Sequence, residues 1–235
     1  MKASEVWAVV PAAGIGRRFA GDRPKQYATL GSRPVIAHVV ARLAAVHGVA
    51  GIVVAVSPAD PWWRAAAEGF GAAVDTVAGG AERRDSVLNA LDHLSTIAPD
   101  DALAMVHDAV RPCVEVEDIK RVVAAARREP DGAVLAAPVS DTLKRAGPEG
   151  SIAGTVDRSG LWRALTPQVF PLGRLRAALR DAVGSGCPVT DEAQAMERAG
   201  ARPVLVEGSP GNIKITRPED LALARALLEG REPRP

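Results

Sequence analysis

Val-Trp-Ala-Val-Val-Pro-Ala-Ala-Gly-Ile-Gly-Arg-Arg-Phe-Ala-Gly-Asp-Arg-Pro-Lys-Gln, residues 6–26, sets an apolar run directly before a glycine loop that carries Arg17, Arg18 and Lys25. A short, largely β-branched run entering such a loop reads as a buried strand passing into a turn. Glycines lack Cβ, so their amides can approach an anion closely, and nearby cations can neutralise charge on phosphoryl oxygens. The plainer reading is a tight strand-to-helix turn with solvated arginines. Pro24-Lys25-Gln26 favours the phosphate reading, because a conformationally fixed proline presents a cation towards the same loop.

Two familiar phosphate loops do not fit. The dinucleotide pattern G-x-G-x-x-G would start at Gly14 and Gly16 but meets Phe19 where its third glycine belongs. The ATPase pattern G-x-x-x-x-G-K-[ST] from Gly14 would need glycine and lysine where Phe19 and Ala20 stand. This is a third kind of loop.

The same pattern repeats outward from this stretch. Apolar runs at 51–56, 72–77, 102–106 and 133–137 are short and non-alternating, as strands covered on both faces should be. Helical patterns at 34–46, 82–94 and 116–127 lie between them, which predicts an α/β fold built on a parallel, right-handed, doubly wound sheet. Ligands then collect at the carboxyl ends of the strands. The first strand runs into the Gly14 loop, the third into Gly79-Gly80-Ala81-Glu82-Arg83-Arg84-Asp85-Ser86, and the fourth into His107-Asp108-Ala109-Val110-Arg111-Pro112. These three segments are expected to meet in one crevice.

From 139 to 167 the alternation breaks into two polar arms around a glycine-rich turn at 147–150, which reads as a protruding β-hairpin. A hairpin without its own core needs a surface to pack on, and a second subunit would supply one. Helices are expected at 172–183 and 191–199, strands at 203–207 and 212–216, and a last helix from 217 to Gly230. Trp62 and Trp63 read as packing residues at a helix start rather than a base-stacking platform.

Composition bounds the rest. The 235 residues, 47% hydrophobic, suit one large domain, 1–235. A net charge of +1 gives no bulk attraction for nucleic acid or an anionic membrane, so phosphate binding must be local. Cys113 and Cys187 form neither a disulfide framework nor a zinc pattern, which fits a reducing cytoplasm. The first strand starts too early to leave room for a signal peptide, and no apolar run is long enough to span a bilayer. Lysine is scarce, with five in the chain, and Lys25, Lys144 and Lys214 each fall in segments marked out on other grounds.

Asp108, just after a buried strand, is the best metal-ligand candidate, because a carboxylate beside a polyphosphate can recruit Mg²⁺. Its plainer reading is a cap for the helix that begins near Glu115. Ser86 could reach a base edge, while Asp85 reads as a capping group. His38, His47 and His93 have no partners at metal spacing and read as structural. With no Ser-His-Asp or Cys-His arrangement, positioning and electrostatics must carry the chemistry.

Pro-Ala-Ala-Gly-x-Gly-x-Arg, Pro-Lys-Gln, Gly-Gly-x-x-Arg-x-x-Ser, His-Asp-Ala-x-Arg-Pro, Asp-Thr-x-Lys, Thr-Val-Asp-Arg-x-x-Leu-Trp, Leu-Thr-Pro-Gln, Thr-Asp-Glu and Asn-Ile-Lys-x-Thr-x-Pro-Glu-Asp-Leu occur in that order. The set, which covers nearly the whole chain, resembles the 2-C-methyl-D-erythritol 4-phosphate cytidylyltransferases of the non-mevalonate isoprenoid pathway. The resemblance implies a homodimeric, Rossmann-like nucleotidyltransferase that joins CTP to a sugar-alcohol phosphate with release of pyrophosphate. It implies that Ala12, Ala13, Gly14, Gly16, Gly80 and Ser86 contact the nucleoside, that Arg18 and Lys25 hold the triphosphate, and that Asp108 holds Mg²⁺. It further implies that Arg158 and Lys214 grip the acceptor phosphate with Arg111, Thr142, Thr166 and Thr190 around it, the hairpin reaching into the partner's site.

Two positions depart from the family pattern. Gly211 stands where members often carry an aspartate as second metal ligand, and Ala81 where an acidic residue often follows Gly-Gly. The nearest rival is a ribitol or glycerol phosphate cytidylyltransferase, which would share Pro-Lys-Gln and Asp-Ala-x-Arg-Pro. A nucleotide-binding regulator that lost catalysis with the carboxylate at Gly211 is the rival from another class.

Overall fold

The computed structural model describes residues 4–14, 19, 23–71 and 73–230. Along the chain run β1 (Val6–Pro11), a ribbon of β2 (Thr29–Leu30) and β3 (Arg33–Pro34), α1 (Val35–Ala44), β4 (Val49–Val56), α2 (Trp63–Ala66) and β5 (Val74–Ala78). Then come α3 (Arg83–Leu94), β6 (Leu103–Val106), α4 (Val116–Ala126), β7 (Ala133–Pro138), β8 (Leu143–Ala146) and β9 (Ile152–Val156). The chain closes with β10 (Trp162–Pro171), α5 (Leu172–Gly184), α6 (Glu192–Arg198), β11 (Val204–Glu207) and α7 (Asp220–Glu229).

The central sheet has the order β11-β7-β10-β6-β1-β4-β5. β1 pairs in parallel with β4 and β6, β4 with β5, and β7 with β11, whereas β10 is antiparallel to both β6 and β7. The mostly parallel, doubly wound α/β sheet expected from the alternating runs is therefore present. Its crossover direction reverses beside β1: β4 and β5 lie on one side and β6 on the other. That switch point between β1 and β6 opens a crevice above the strand ends.

Side-chain alternation divides the core into two layers. Val6, Ala8 and Val10 of β1 pack with Ile52, Val54 and the α1 residues Ile36, Val39 and Leu43, while Val9 and Val53 face Val87, Leu91 and Leu94 of α3 with Leu175 and Leu179 of α5. Each buried Val, Ile or Leu side chain contributes about 1.5–3 kcal/mol of transfer free energy, so strands covered on both faces gain from uninterrupted apolar runs. A third, smaller cluster sets Val110 and Cys113 against Ile215 and Ala224 of α7, fixing the segment that carries Lys214 beside the one that carries Asp108.

Two expectations change. Residues 212–216 form no strand: Ile215 N–H reaches Val110 O at 2.9 Å, but Thr216 N–H goes to the Asp220 carboxylate at 2.7 Å, so no ladder continues. The alternating pattern there reflects Ile213 and Ile215 in the small apolar cluster with Lys214 turned to the crevice. The hairpin is also shorter than 139–167. β8 and β9 pair antiparallel, with the turn at 147–150, but from Trp162 the chain enters the main sheet as β10, pairing Trp162 with Pro138. The exposed, polar start of β10 reads like hairpin in sequence, while Leu165 to Phe170 are buried sheet. Trp62 stacks on Tyr27 at a centroid distance of 6.1 Å, and both tryptophans pack on the core, as expected.

Candidate active site

Three strand ends are each extended by one more main-chain hydrogen bond, which fixes where the polar loops begin. Ala12 N–H donates to Ala55 O (2.7 Å), Gly79 N–H to Val56 O (2.7 Å) and His107 N–H to Val9 O (2.9 Å). The loop after β1 is then clamped by Gln26, whose buried amide donates to Ala12 O (2.7 Å) and Gly14 O (3.0 Å). Gly79 is required by close approach: a Cβ there would lie 2.3 Å from Ala13 Cβ and 3.1 Å from Ser86 Oγ. A Cβ on Gly14 would meet none of the described atoms within 4 Å, because that glycine faces open space.

These loops line a cavity of about 260 Å³ that includes Ala12, Ala13, Gly14, Lys25, Gly80 and Ser86, with Asp108 and Lys214 at its far wall. Ser86 is buried and ties the Gly80 turn to α3: its Oγ accepts from Gly80 N–H (3.0 Å) and donates to Glu82 O (3.2 Å). Asp85 completes the helix start by accepting from Glu82 N–H at 2.9 Å, the capping role expected of it. A second cavity, of about 180 Å³, is lined by Arg111, Leu165, Thr166, Gln168, Thr190 and Asp191. Arg83, Asp108 and Lys214 belong to both cavities and form the wall between them.

Asp108 is the electrostatic centre. It is 6% exposed, and its carboxylate meets Arg83 Nε (3.0 Å), Lys214 Nζ (3.0 Å) and Arg111 Nε (3.2 Å). Burial would raise its pKa, but Arg83, Lys214 and Arg111 outweigh burial and hold the carboxyl well below the usual range. It is no helix cap, since α4 begins after Glu115. Arg83 Nη1 and Nη2 grip Glu192 at 2.6 and 3.0 Å, and although burial opposes the guanidinium charge, Glu192 and Asp108 raise its pKa overall. Arg111 Nη1 donates to Asn212 O (2.8 Å), and Asn212 Nδ2 to Thr166 O (2.8 Å), which joins the three segments from below.

His107 and Thr166 set the height of Asp108. Thr166 Oγ1 accepts from Asp108 N–H (3.1 Å), so its own proton is available to His107 Nδ1 at 3.0 Å, and His107 Nε2 faces Arg111 O at 3.1 Å. Those partners select the neutral Nε2–H tautomer. Complete burial pushes the His107 pKa down to about 4, against smaller upward pulls from the Arg111 carbonyl and Asp108.

Among the residues expected at the site, Ala12, Ala13, Gly14, Lys25, Gly80, Ser86 and Asp108 meet at the first cavity, and Arg111, Thr166 and Thr190 at the second, with Lys214 common to both. Gly16 and Arg18 lie outside the described residues. Thr142 and Arg158 are exposed on the hairpin side and line neither cavity; Arg158 Nη1 donates to Ser140 O. Arg83, Glu192, Gln26, Gln168, His107 and Asn212 are buried or half-buried members of the site that residue-type reasoning did not single out as site residues. Gln26 and Gln168, glutamines each inside an otherwise apolar or proline-flanked stretch, carried a readable signal; the Arg83–Glu192 pair spans 109 positions and carried none.

Comparison with known proteins agrees with this geometry. The family model described as 2-C-methyl-D-erythritol 4-phosphate cytidylyltransferase matches residues 6–230. A protein of that name from Halorhodospira halophila is 52% identical over 227 residues, covering 94% of this chain and 93% of that protein. One from Hahella chejuensis is 43% identical, covering 97% of this chain and 95% of its own length. Crystal structures of the enzymes from Francisella tularensis and Thermus thermophilus superpose with TM-scores of 0.83 and 0.78, at 31% and 34% identity. They cover 95% and 96% of this chain and 100% and 99% of theirs. With paired cavities meeting at Asp108 and a match over almost its full length, the chain belongs to the 2-C-methyl-D-erythritol 4-phosphate cytidylyltransferase family.

Proposed function

We propose that the chain transfers the cytidylyl group of CTP to the phosphate of 2-C-methyl-D-erythritol 4-phosphate, giving 4-diphosphocytidyl-2-C-methyl-D-erythritol and pyrophosphate for isoprenoid precursor synthesis. The observation that carries the reading is the shared wall: two cavities, one lined by glycine-loop backbone and one by threonines and Arg111, meet at Arg83, Asp108 and Lys214. A phosphate oxygen of the acceptor attacks the α-phosphorus of CTP, and the bond from that phosphorus to the bridging oxygen of pyrophosphate breaks. A phosphate monoester has its second pKa near ~6, so at neutral pH the nucleophile is already largely a dianion and needs no general base. The task is to bring two anions together in line, which suits cations on the dividing wall.

In this reading the backbone around Ala12, Ala13, Gly14, Gly16 and Gly80 receives the cytidine moiety, with Ser86 holding the Gly80 turn in place. Arg18 and Lys25 balance triphosphate charge, and Lys214 and Arg111 face the acceptor phosphate, with Thr166 and Thr190 beside it. Ala81 brings no charged group to the base, so selection of cytosine rests on main-chain groups. Asp108 is suited to Mg²⁺, which takes one or two carboxylates and completes its shell with phosphate oxygens and water. Gly211 adds no second carboxylate, and among the described residues there is no cluster of three His, Cys, Asp or Glu side chains, so Asp108 would hold the ion together with phosphate oxygens and water. When bound, it neutralises phosphoryl charge; Lys214, whose side chain is 43% exposed, is free to exchange its contact with Asp108 for one with phosphate.

A homodimer completes the site. Thr142 and Arg158 sit on an arm whose Ile152 is 68% exposed, which supports an arm that packs on a second subunit and delivers both residues there. Neither Cys113 nor Cys187 takes part in a disulfide among the described residues, in keeping with a cytoplasmic enzyme. No helix among the described residues is long and apolar enough to cross a membrane. The test is pyrophosphate release from CTP and Mg²⁺ with each of three acceptors. Release with methylerythritol phosphate is expected; release with ribitol or glycerol phosphate alone, or CTP binding without any release, overturns the reading.

A further inference from the structure

We propose that Glu192 is a positioning residue for this reaction: through Arg83 it limits how much guanidinium charge rests on Asp108, and so preserves that carboxylate for a divalent cation. The inference rests on the cytidylyltransferase reading above. Arg83 offers its N–H donors in a fixed planar fork. Nη1 and Nη2 both go to Glu192, at 2.6 and 3.0 Å, and Nε alone goes to Asp108, at 3.0 Å. Facing Asp108 without a competitor, the same fork would close on both carboxylate oxygens in the bidentate geometry that Arg and carboxylate favour. Glu192, 1% exposed, takes that face of the fork instead.

Glu192 lines neither cavity, so it acts only through Arg83. Its place does not depend on a ligand. It lies in the first turn of α6, where Gln168 Oε1 accepts from Ala193 N–H (2.8 Å), Gln168 Nε2 donates to Asp191 Oδ2 (2.9 Å) and Asp191 Oδ1 accepts from Gln194 N–H (2.9 Å). Arg83 is anchored at the start of α3 on the opposite wall. The pair thus ties the helix behind Thr190 to the carboxylate between the cavities.

Neutralising Glu192 has consequences of opposite sign. Arg83 shifts its charge towards Asp108, which weakens capture of a divalent cation, while loss of a nearby negative charge favours an anionic nucleotide bound without metal. Disordering of α6 would weaken both together. The test uses Glu192→Gln in the full chain, with CTP binding followed by calorimetry in EDTA and across a Mg²⁺ titration, beside pyrophosphate release. Binding in EDTA is expected to be unchanged or tighter, and the Mg²⁺ concentration needed for half-effect to rise roughly tenfold, in both calorimetry and turnover. In an Arg83→Gln background, Glu192→Gln is expected to add no further shift.

An unchanged Mg²⁺ requirement, parallel weakening in EDTA and Mg²⁺, or full additivity with Arg83→Gln overturns the proposal. Should Glu192→Gln not fold, as judged by circular dichroism and melting, Glu192→Asp keeps the charge but withdraws it by one methylene. A smaller rise in Mg²⁺ requirement is then expected, and no rise overturns the proposal. Wild-type protein that neither binds CTP nor releases pyrophosphate overturns the parent reading as well; an active wild type with a silent Glu192→Gln overturns the positioning role alone.

Discussion

The Gln26 side-chain amide donates to both Ala12 O and Gly14 O, at 2.7 and 3.0 Å, and so closes the glycine loop from beneath before any ligand arrives. A loop whose amides must face phosphate or base cannot satisfy its carbonyls with a sheet ladder, so a buried donor does it instead. Gln26→Glu replaces that donor by an acceptor facing two carbonyls. Each carbonyl left without a partner costs about 1–3 kcal/mol, and the loop loses its preset shape. Urea midpoints and CTP titration should both fall, with Gln26→Met milder in stability but equally impaired in CTP binding. Full CTP affinity in Gln26→Glu would remove Gln26 from the site.

Gly79 and Gly14 separate close packing from ligand space. The Cβ of Gly79→Ala would stand 2.3 Å from Ala13 Cβ and 3.2 Å from Val56 O, neither of which is a flexible side-chain end. Overpacking of this kind costs about 1–3 kcal/mol, and the two loops at the first cavity must part. Gly14→Ala meets no described atom within 4 Å, so the melting temperature is expected to hold while CTP affinity drops. A variant pair with the reverse pattern, Gly79→Ala binding CTP normally and Gly14→Ala unfolding, contradicts the assignment of these loops to the nucleotide.

Sequence made the sheet legible because strands buried on both faces need unbroken apolar runs, and Val6–Pro11, Leu103–Val106 and Ala133–Pro138 have them. Loops at the ends of β1, β5 and β6 followed from that, and with them most of the cavity lining. What did not follow were contacts made across long separations. The exposed start of β10 looked like hairpin because Trp162, Arg163 and Ala164 keep much of their surface in solvent although they pair with β7 in the main sheet. The strand pattern at 212–216 was met by two different surfaces and no ladder. Ser86, legible as a residue at the strand-end loop, also ties the Gly80 turn to α3 from the cavity wall, a tether that its residue type alone did not announce.

His107 links acidity to the state of the site. Its pKa is pushed down to about 4 in the folded chain, against about 6.5 when exposed, so between those values the unfolded state binds the extra proton. The contribution is complete above about pH 6.5, declines as pH falls, and levels off below about pH 4, amounting to on the order of 3 kcal/mol. His107→Gln lacks this titration. The difference in unfolding free energy between wild type and His107→Gln should therefore shift against the wild type between pH 7 and 4; a difference independent of pH would show that His107 is not held neutral.

Arg158 and Lys25 are expected to fail in different ways. Lys25 lines the first cavity, where the proposed reading puts the triphosphate, and removing it would withdraw charge that counts most as pyrophosphate separates, so Lys25→Ala should mainly lower kcat. Arg18 is expected to behave likewise. Arg158 lies exposed beyond both cavities of its own chain, and Arg158→Ala should mainly raise KM for the acceptor. If the arm crosses to a partner, Arg158→Ala and Asp108→Ala subunits damage different halves of each shared site. In a mixture that exchanges subunits, half of the protomers pair unlike with unlike, and each such dimer regains one intact site and loses the other entirely. Assayed at an acceptor concentration far below the raised KM of Arg158→Ala, activity should then rise to about a quarter of the wild-type value, from near zero in either parent. No recovery after exchange, verified by differently tagged subunits, would place Arg158 in the site of its own chain.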